Sequence, residues 1–234
     1  MSAERDLARL GRISAVVAAA NGDDPAHDLC RACAHGLAVS GAGVMVMNSG
    51  VSVPLSSSDP TAAAIEDLQN ALGEGPCIDA HTTGRPVSEP DLATPRQGRW
   101  MAFGPAALDA GAEAVFAFPL RVGGVRLGAL TLHRSQAGGM SDEQHLDAQA
   151  MANVVAHAIL AMQAEAAPGS LGPDLEALAS YGAEVHQASG MVSVQLGVSV
   201  GEALARLRAH AYGGERLLSH VAADVVSRRL RFDE

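Results

Sequence analysis

Ala166-Ala167-Pro168-Gly169-Ser170-Leu171-Gly172-Pro173 sets two prolines, two glycines and a serine between helical patterns. Proline lacks a backbone donor and glycine costs backbone entropy, so regular structure does not run through such a stretch, and 166–173 reads as a linker. It divides the 234 residues into 1–165, with mixed helix and strand signals, and 174–234, with helix signals alone. That length suits one large or two modest domains. At 48% hydrophobic and 18% charged, with mean hydropathy +0.13, the chain has enough apolar material for packed cores, which excludes wholesale disorder.

In 1–165, apolar spacing predicts helices over about 4–20 and 25–39. Ala42–Met47 and Val51–Leu55 read as strands around an Asn48-Ser49-Gly50 turn. Asp59-Pro60 supplies an N-cap and a first-turn proline for a helix to Leu72. Cys77 follows Pro76 at a second helix start, and another helix is expected near Leu108. Ala114–Leu120 and Val125–His133 are β-rich runs joined by Arg121-Val122-Gly123-Gly124, a hairpin pattern. Ser141-Asp142-Glu143-Gln144 resembles a capping box for a helix to about Gln163. The expected fold class is α+β, an antiparallel sheet flanked by helices.

Residues 174–234 predict three helices. Leu175, Leu178, Gly182, Val185, Ser189, Val192 and Leu196 alternate three and four apart, a heptad-like seam from which a homodimer is expected. Gly197-Val198-Ser199 ends that helix, and Ser199 caps a second running to about Tyr212. Gly213-Gly214 stops it, and Leu218–Leu230 forms a third, with Leu218, Ala222, Val225 and Arg229 on one face.

All sixteen basic side chains are arginine, so mechanisms that need a lysine Schiff base or a Walker lysine are excluded. A net charge of −10 and a pI near 5.3 argue against indiscriminate coating of nucleic acid or anionic membrane. Between Ala203 and Arg231, however, six arginines face only Glu215 and Asp224, which leaves a local basic surface. No apolar run approaches the length of a membrane span. Arg5, Arg9 and Arg12 ahead of Ile13–Ala20 sketch a secretory signal, but Glu4 and Asp6 interrupt it, and Leu7, Leu10 and Val17 fit a helical stripe. Three cysteines without framework spacing agree with a reducing cytoplasm, the expected location.

His27, Cys30, Cys33 and His35 have the look of a zinc knuckle, but Leu29, Cys30, Cys33 and Leu37 continue a helical stripe and read as core. No metal site and no cofactor are expected. The sequence holds no phosphate-cradling glycine loop after a strand, no nucleophile elbow and no evident acid–base pair, so no catalytic residues are assigned.

Glu184-Val185-His186-Gln187-Ala188-Ser189-Gly190-Met191 resembles the first signature of ANTAR domains. Glu202-Ala203 with Leu207-Arg208 and Ala211 resembles their second helix, and Leu218, Val221, Ala222 and Val225-Val226 their third. Upstream, Leu72-Gly73-Glu74-Gly75-Pro76-Cys77, Gly84-Arg85-Pro86-Val87, Phe118-Pro119-Leu120 and Gly123–Leu130 resemble the GAF domain of GAF–ANTAR regulators. The resemblance implies a GAF-like sensor over 1–165 and a three-helix ANTAR domain over 174–234. It further implies a one-component antitermination regulator, binding paired stem-loops in nascent leader RNA as a dimer. A small molecule or partner at the GAF domain would set its activity. Many family members carry Lys or Ala where Ser189 stands.

RNA loops are read by stacking bases on aromatic or guanidinium planes, with cations on phosphate. Arg208 and Tyr212, four apart, project together beside a packed face of Ala203, Leu204, Leu207 and Ala211. Arg216 follows just past the turn; Arg206 and Ser189 complete the RNA-binding candidates. Ala188 and Gly190 are expected to let helices approach closely. Arg228, Arg229 and Arg231 fit a helix C-terminal dipole or a phosphate. By resemblance, Trp100 and Phe103 are candidates for the GAF pocket. Cys77 joins them as a helix-start thiol, or is simply a small buried hydrophobe. Two other classes stay open: a dimeric protein-interaction adaptor, and a GAF-type thiol enzyme reducing methionine sulfoxide, which needs Cys77 to pair with Cys30 or Cys33.

Overall fold

The computed structural model describes residues 2–19, 24–48, 51–94, 99–164, 173–214 and 216–232. Five strands form one antiparallel sheet: β1 (Gly41–Asn48), β2 (Val51–Ser57), β3 (Val87–Glu89), β4 (Ala114–Val122) and β5 (Val125–Arg134), in the order β2-β1-β5-β4-β3. Two-residue alternation sends Phe116, Phe118 and Leu120 of β4 and Leu130 and Leu132 of β5 to one face. There they meet α1 (Ser2–Ala19), α2 (Pro25–Leu37) and α6 (Asp142–Ala164). Complete burial of each such side chain stabilises the fold by roughly 1.5–3 kcal/mol. Met45, Val115, Ala117 and Ala129 point to the other face, under α3 (Pro60–Leu72), α4 (Pro76–Thr83) and α5 (Phe103–Asp109). The sheet therefore separates two cores.

The local signals act as the sequence indicates. Asp59 accepts from the Ala62 N–H at 3.0 Å and Pro60 opens α3. Ser141 and Gln144 close a reciprocal capping box: Gln144 N–H donates to Ser141 Oγ at 3.2 Å, and Ser141 N–H to Gln144 Oε1 at 3.1 Å. In α2, Cys30 and Cys33 are buried beside Leu29 and Leu37, core rather than ligands. Arg9 and Arg12 both ion-pair with the buried Asp147 of α6 and anchor α1. The short β3 carries only three residues, too few to leave a periodic signature in the sequence.

Three more helices follow: α7 (Pro173–Leu196), α8 (Val200–Gly213) and α9 (Leu218–Val226). Apart from Pro173, which opens α7, the expected linker lies outside the described residues, as do Ser49 and Gly50 of the first turn and Glu215. The side chains of Leu175 and Leu178 in the expected seam are likewise outside them. Gly197 takes φ +65° to end α7, and Ser199 caps α8 by accepting from the Glu202 N–H. The third helix is shorter than expected. It stops at Val226 because Arg228 turns to φ +61° while the Arg229 and Leu230 N–H groups both return to the Asp224 carbonyl. The chain then folds back, and Phe232 N–H donates to Gln195 Oε1 at 2.9 Å.

The three helices lean on the rest of the molecule. α7 packs along β2, whose Val53 joins their apolar cluster, and α8 packs against α3. An edge strand with an unpaired side is thereby covered. Among the described residues no helix is long and apolar enough to cross a membrane.

Candidate functional site

The core of the C-terminal helices is built from signature positions. Ala188, Ala203, Leu207, Ala211, Val221, Ala222 and Leu218 are buried together with Val185, Val192 and Val225. Alanine at four of these places keeps the helix axes close. Gly190 differs from the expectation of close approach: a Cβ there would meet nothing within 4 Å. Ser189 also differs from a surface contact. It is 1% exposed, and its hydroxyl donates to the Val185 carbonyl at 2.7 Å, the helix-internal bond that satisfies a buried serine.

The other candidates lie outside that core. Arg206 is exposed and pairs with Glu202 at 3.1 Å one turn away, an interaction worth little in water. Tyr212 is 45% exposed. Arg216 pairs with Asp224, whose other oxygen holds Arg229 at 2.8 Å, so two guanidinium groups share one carboxylate. Those bonds hold the Asp224 carboxyl below its ordinary range.

Arg208 has a different setting. Its Nε donates to the Asn70 carbonyl at 3.1 Å, in the last turn of α3. Helix C-terminal carbonyls lack intrahelical partners and carry the negative end of the dipole, so a guanidinium there is favourable. Gly73, the left-handed cap of α3 at φ +67°, makes room: a Cβ on it would stand 2.6 Å from Arg208 Nη1. Asn70 is itself fixed by Ser52 Oγ, which donates to its Oδ1 at 3.0 Å. The structure thus brings Arg206, Tyr212 and Arg216 to the outside and turns Arg208 toward the sensor half.

Trp100 and Phe103 lie together under α4, edge to face at 5.8 Å, with the Arg99 guanidinium 4.3 Å over the indole. Trp100 Nε1 donates to Asp79 Oδ2 at 3.1 Å, and Arg99 pairs with the same carboxylate at 3.2 Å. Glu74 Oε1 accepts from the Ala102 and Phe103 N–H groups, both at 2.8 Å, capping α5 in place of an N-cap side chain. Cys77 joins the same cluster, its N–H donating to Gln69 Oε1 at 2.7 Å and its Sγ 3.5 Å from Met45 Sδ. Burial pushes the Cys77 thiol well above its ordinary value, overriding the helix-start effect that favours a thiolate. Burial also pushes Cys33 up to about 12 and Cys30 higher still. Cys30 and Cys33 belong to the core across the sheet from Cys77, and all three thiols are free.

Periodicity gives no sign of a buried acid in this half. Glu66 is 1% exposed on α3, and neither carboxylate oxygen has a hydrogen-bond partner among the described residues. Burial pushes its carboxyl up to about 8, and the charge of Asp67 adds to the rise. Gly43 of β1 leaves its space: a Cβ there would lie 2.6 Å from Glu66 Oε1. Nearby, His133 Nε2 faces Asp59 at 3.3 Å. Burial lowers the imidazole, while the Ser58 hydroxyl, the Ala62 N–H and His133 outweigh burial at Asp59 and hold that carboxyl low. A glutamate after a run of alanines, Ala63-Ala64-Ile65-Glu66, carries no sequence mark of burial. Among the described residues no group of three or more His, Cys, Asp or Glu side chains is placed to hold a metal ion.

The architecture is a five-stranded antiparallel sheet with helices on both faces. Residues 23–160 match the GAF domain family, more than half of the chain, and the chain belongs to that family, whose domains sense signals. The fold is similar to the GAF domain of a phosphoenolpyruvate-protein phosphotransferase from Coxiella burnetii, at 14% identity and TM-score 0.53, covering 68% of this chain and 96% of that one. It is similar also to the nlh2 GAF domain of A. aeolicus in an inactive state, at 15% identity and TM-score 0.50, covering 67% and 98%. The corresponding GAF domain from Acinetobacter is 11% identical with TM-score 0.50, covering 68% and 96%. At such identities the likeness concerns the fold alone. No curated protein matches the chain.

Proposed function

We propose that this chain is a one-component, cytoplasmic RNA-binding regulator. Its C-terminal helices act as an ANTAR domain on paired stem-loops of nascent transcripts, causing antitermination, and its GAF half sets that activity in response to a small-molecule or protein signal. The observation that carries the reading is the coincidence of the ANTAR-like positions with the buried core of α7–α9, while Arg206, Tyr212 and Arg216 remain on the surface. Tyr212 offers a stacking plane, and the two arginines offer phosphate contacts that exchange for their carboxylates. Ser189 contributes by packing. The reading assigns the chain no catalysis and expects a homodimer on the RNA.

Regulation in this scheme works through Arg208. In the docked arrangement its guanidinium is committed to the C-terminal turn of α3, so an RNA phosphate competes with a helix end for it. A signal that shifts α3 or α8 changes that competition. The test is binding of the full chain to a library of two-hairpin RNAs, beside Arg206→Ala and Arg208→Ala. Selective binding weakened by Arg206→Ala supports the reading; binding to no RNA at any salt concentration overturns it.

A further inference from the structure

Where α9 begins, the two halves of the chain border a half-open cavity of about 680 Å³. This is the size of space that takes a drug-sized organic molecule. Val53 of β2, Leu68 of α3, Ala106 of α5 and Leu217 before α9 give it mainly apolar walls. Leu217 is 53% exposed although it is leucine, an apolar side chain held at the mouth of the opening. None of Trp100, Phe103 and Cys77 lines the cavity, although its wall residue Leu68 packs against their cluster.

Two charged side chains line this space, and they differ in how they are balanced. Arg216 has Asp224 as its ion-pair partner. Asp67 on α3 is exposed at the edge of this space and makes no hydrogen bond or ion pair among the described residues, and partial desolvation raises its carboxyl. An unpartnered carboxylate beside apolar walls gains from a cation brought next to it, because the ligand's apolar body excludes water from the pair. A ligand that satisfies both features has an apolar body and one ammonium group. An organic anion would meet Asp67 as a like charge and an Arg216 that already has its counterion.

We infer that this interdomain cavity is a binding site for a hydrophobic amine, with Asp67 as the counterion of its ammonium group. The walls come from both halves, so the complete site exists only while α7 stays docked on β2 and α8 on α3. A ligand that binds one arrangement better shifts the population toward it. The amine therefore holds the docked state, keeps Arg208 on the Asn70 carbonyl and lowers RNA affinity. That consequence rests on the RNA-binding reading above; the binding itself does not.

The experiment titrates the full chain, without RNA, with 4-phenylbutylamine and with its isosteres 4-phenylbutanol and 4-phenylbutyrate, followed by calorimetry or ligand-observed NMR. Saturable binding of the amine, about tenfold tighter than either isostere and weakened about tenfold by Asp67→Asn, is the expected result. Asp67 is exposed enough that this variant keeps the fold, which a thermal melt checks. Ala106→Phe fills the cavity and abolishes binding. Equal affinity for amine and carboxylate, unchanged affinity in Asp67→Asn, or no saturable binding up to about 10 mM overturns the assignment. A chain that binds the amine but no RNA keeps the site and removes only the antitermination reading. A chain that binds RNA but no amine does the reverse.

Discussion

Glu66 concentrates the tension of the sensor half in one side chain. The folded state holds its proton up to about 8, whereas the unfolded chain releases it near the ordinary value of 4.5. Between those two values the native state binds one proton more than the unfolded state. Stability present at acid pH is therefore lost as pH rises through that window, by up to about 1.4 kcal/mol per pH unit from this group. Glu66→Gln removes the slope, so the variant is more stable than the parent at pH 8 in urea unfolding; identical slopes for both proteins contradict the assignment. The three thiols give a second expectation at this scale. A thiol reagent applied to the native chain labels none of Cys30, Cys33 and Cys77, and labels all three after unfolding; rapid native labelling of Cys77 favours the redox reading. Gly190 gives a third. With open space at its Cβ position, Gly190→Ala in a helix interior raises stability by roughly 0.5–1 kcal/mol, read as a higher melting temperature. If that variant also loses RNA affinity, the glycine serves close approach of the RNA backbone rather than of a helix.

At the scale of elements, caps and stripes were legible because their physics is local. Asp59, Ser141 with Gln144, and Ser199 each announce a helix start through the donors they satisfy. The α2 stripe of Leu29, Cys30, Cys33 and Leu37 announces a buried face. What escaped was set by tertiary contact. β3 exists because Val87–Glu89 adds to the edge of β4, and Glu74 caps α5 from 28 residues away. The early end of α9 follows from the left-handed turn at Arg228, which apolar spacing does not encode. The candidate site divides in the same way. The inward positions of α7–α9 follow from period and resemblance, but the docking of Arg208 on α3 needs two segments 138 residues apart to meet. The reciprocal box at Ser141 has a measurable consequence: Ser141→Ala costs about 1 kcal/mol, seen as a lower urea midpoint with unchanged m.

At the scale of the whole molecule, the two halves work as one device in the proposed mechanism. α3 lies over the sensor core through Glu66 and Ile65, and meets α8 through the carbonyl of Asn70. A signal that moves α3 reaches the proposed RNA-binding helices without a separate relay, and the linker need only permit the docking. The central claim is that the exposed face of α8 and the turn after it binds RNA by stacking and by a few phosphate contacts. The measurement that tests it most directly is the affinity of the full chain for a selected two-hairpin RNA across a salt series, beside Tyr212→Ala and Arg206→Ala. With two to three phosphate contacts, affinity falls roughly 10- to 40-fold between about 50 and 200 mM salt. Tyr212→Ala lowers affinity about 5- to 150-fold at every salt concentration, the loss of one stacked base. Arg206→Ala flattens the salt slope by nearly one contact. Affinity that ignores both variants, or that shows no dependence on salt, contradicts the account.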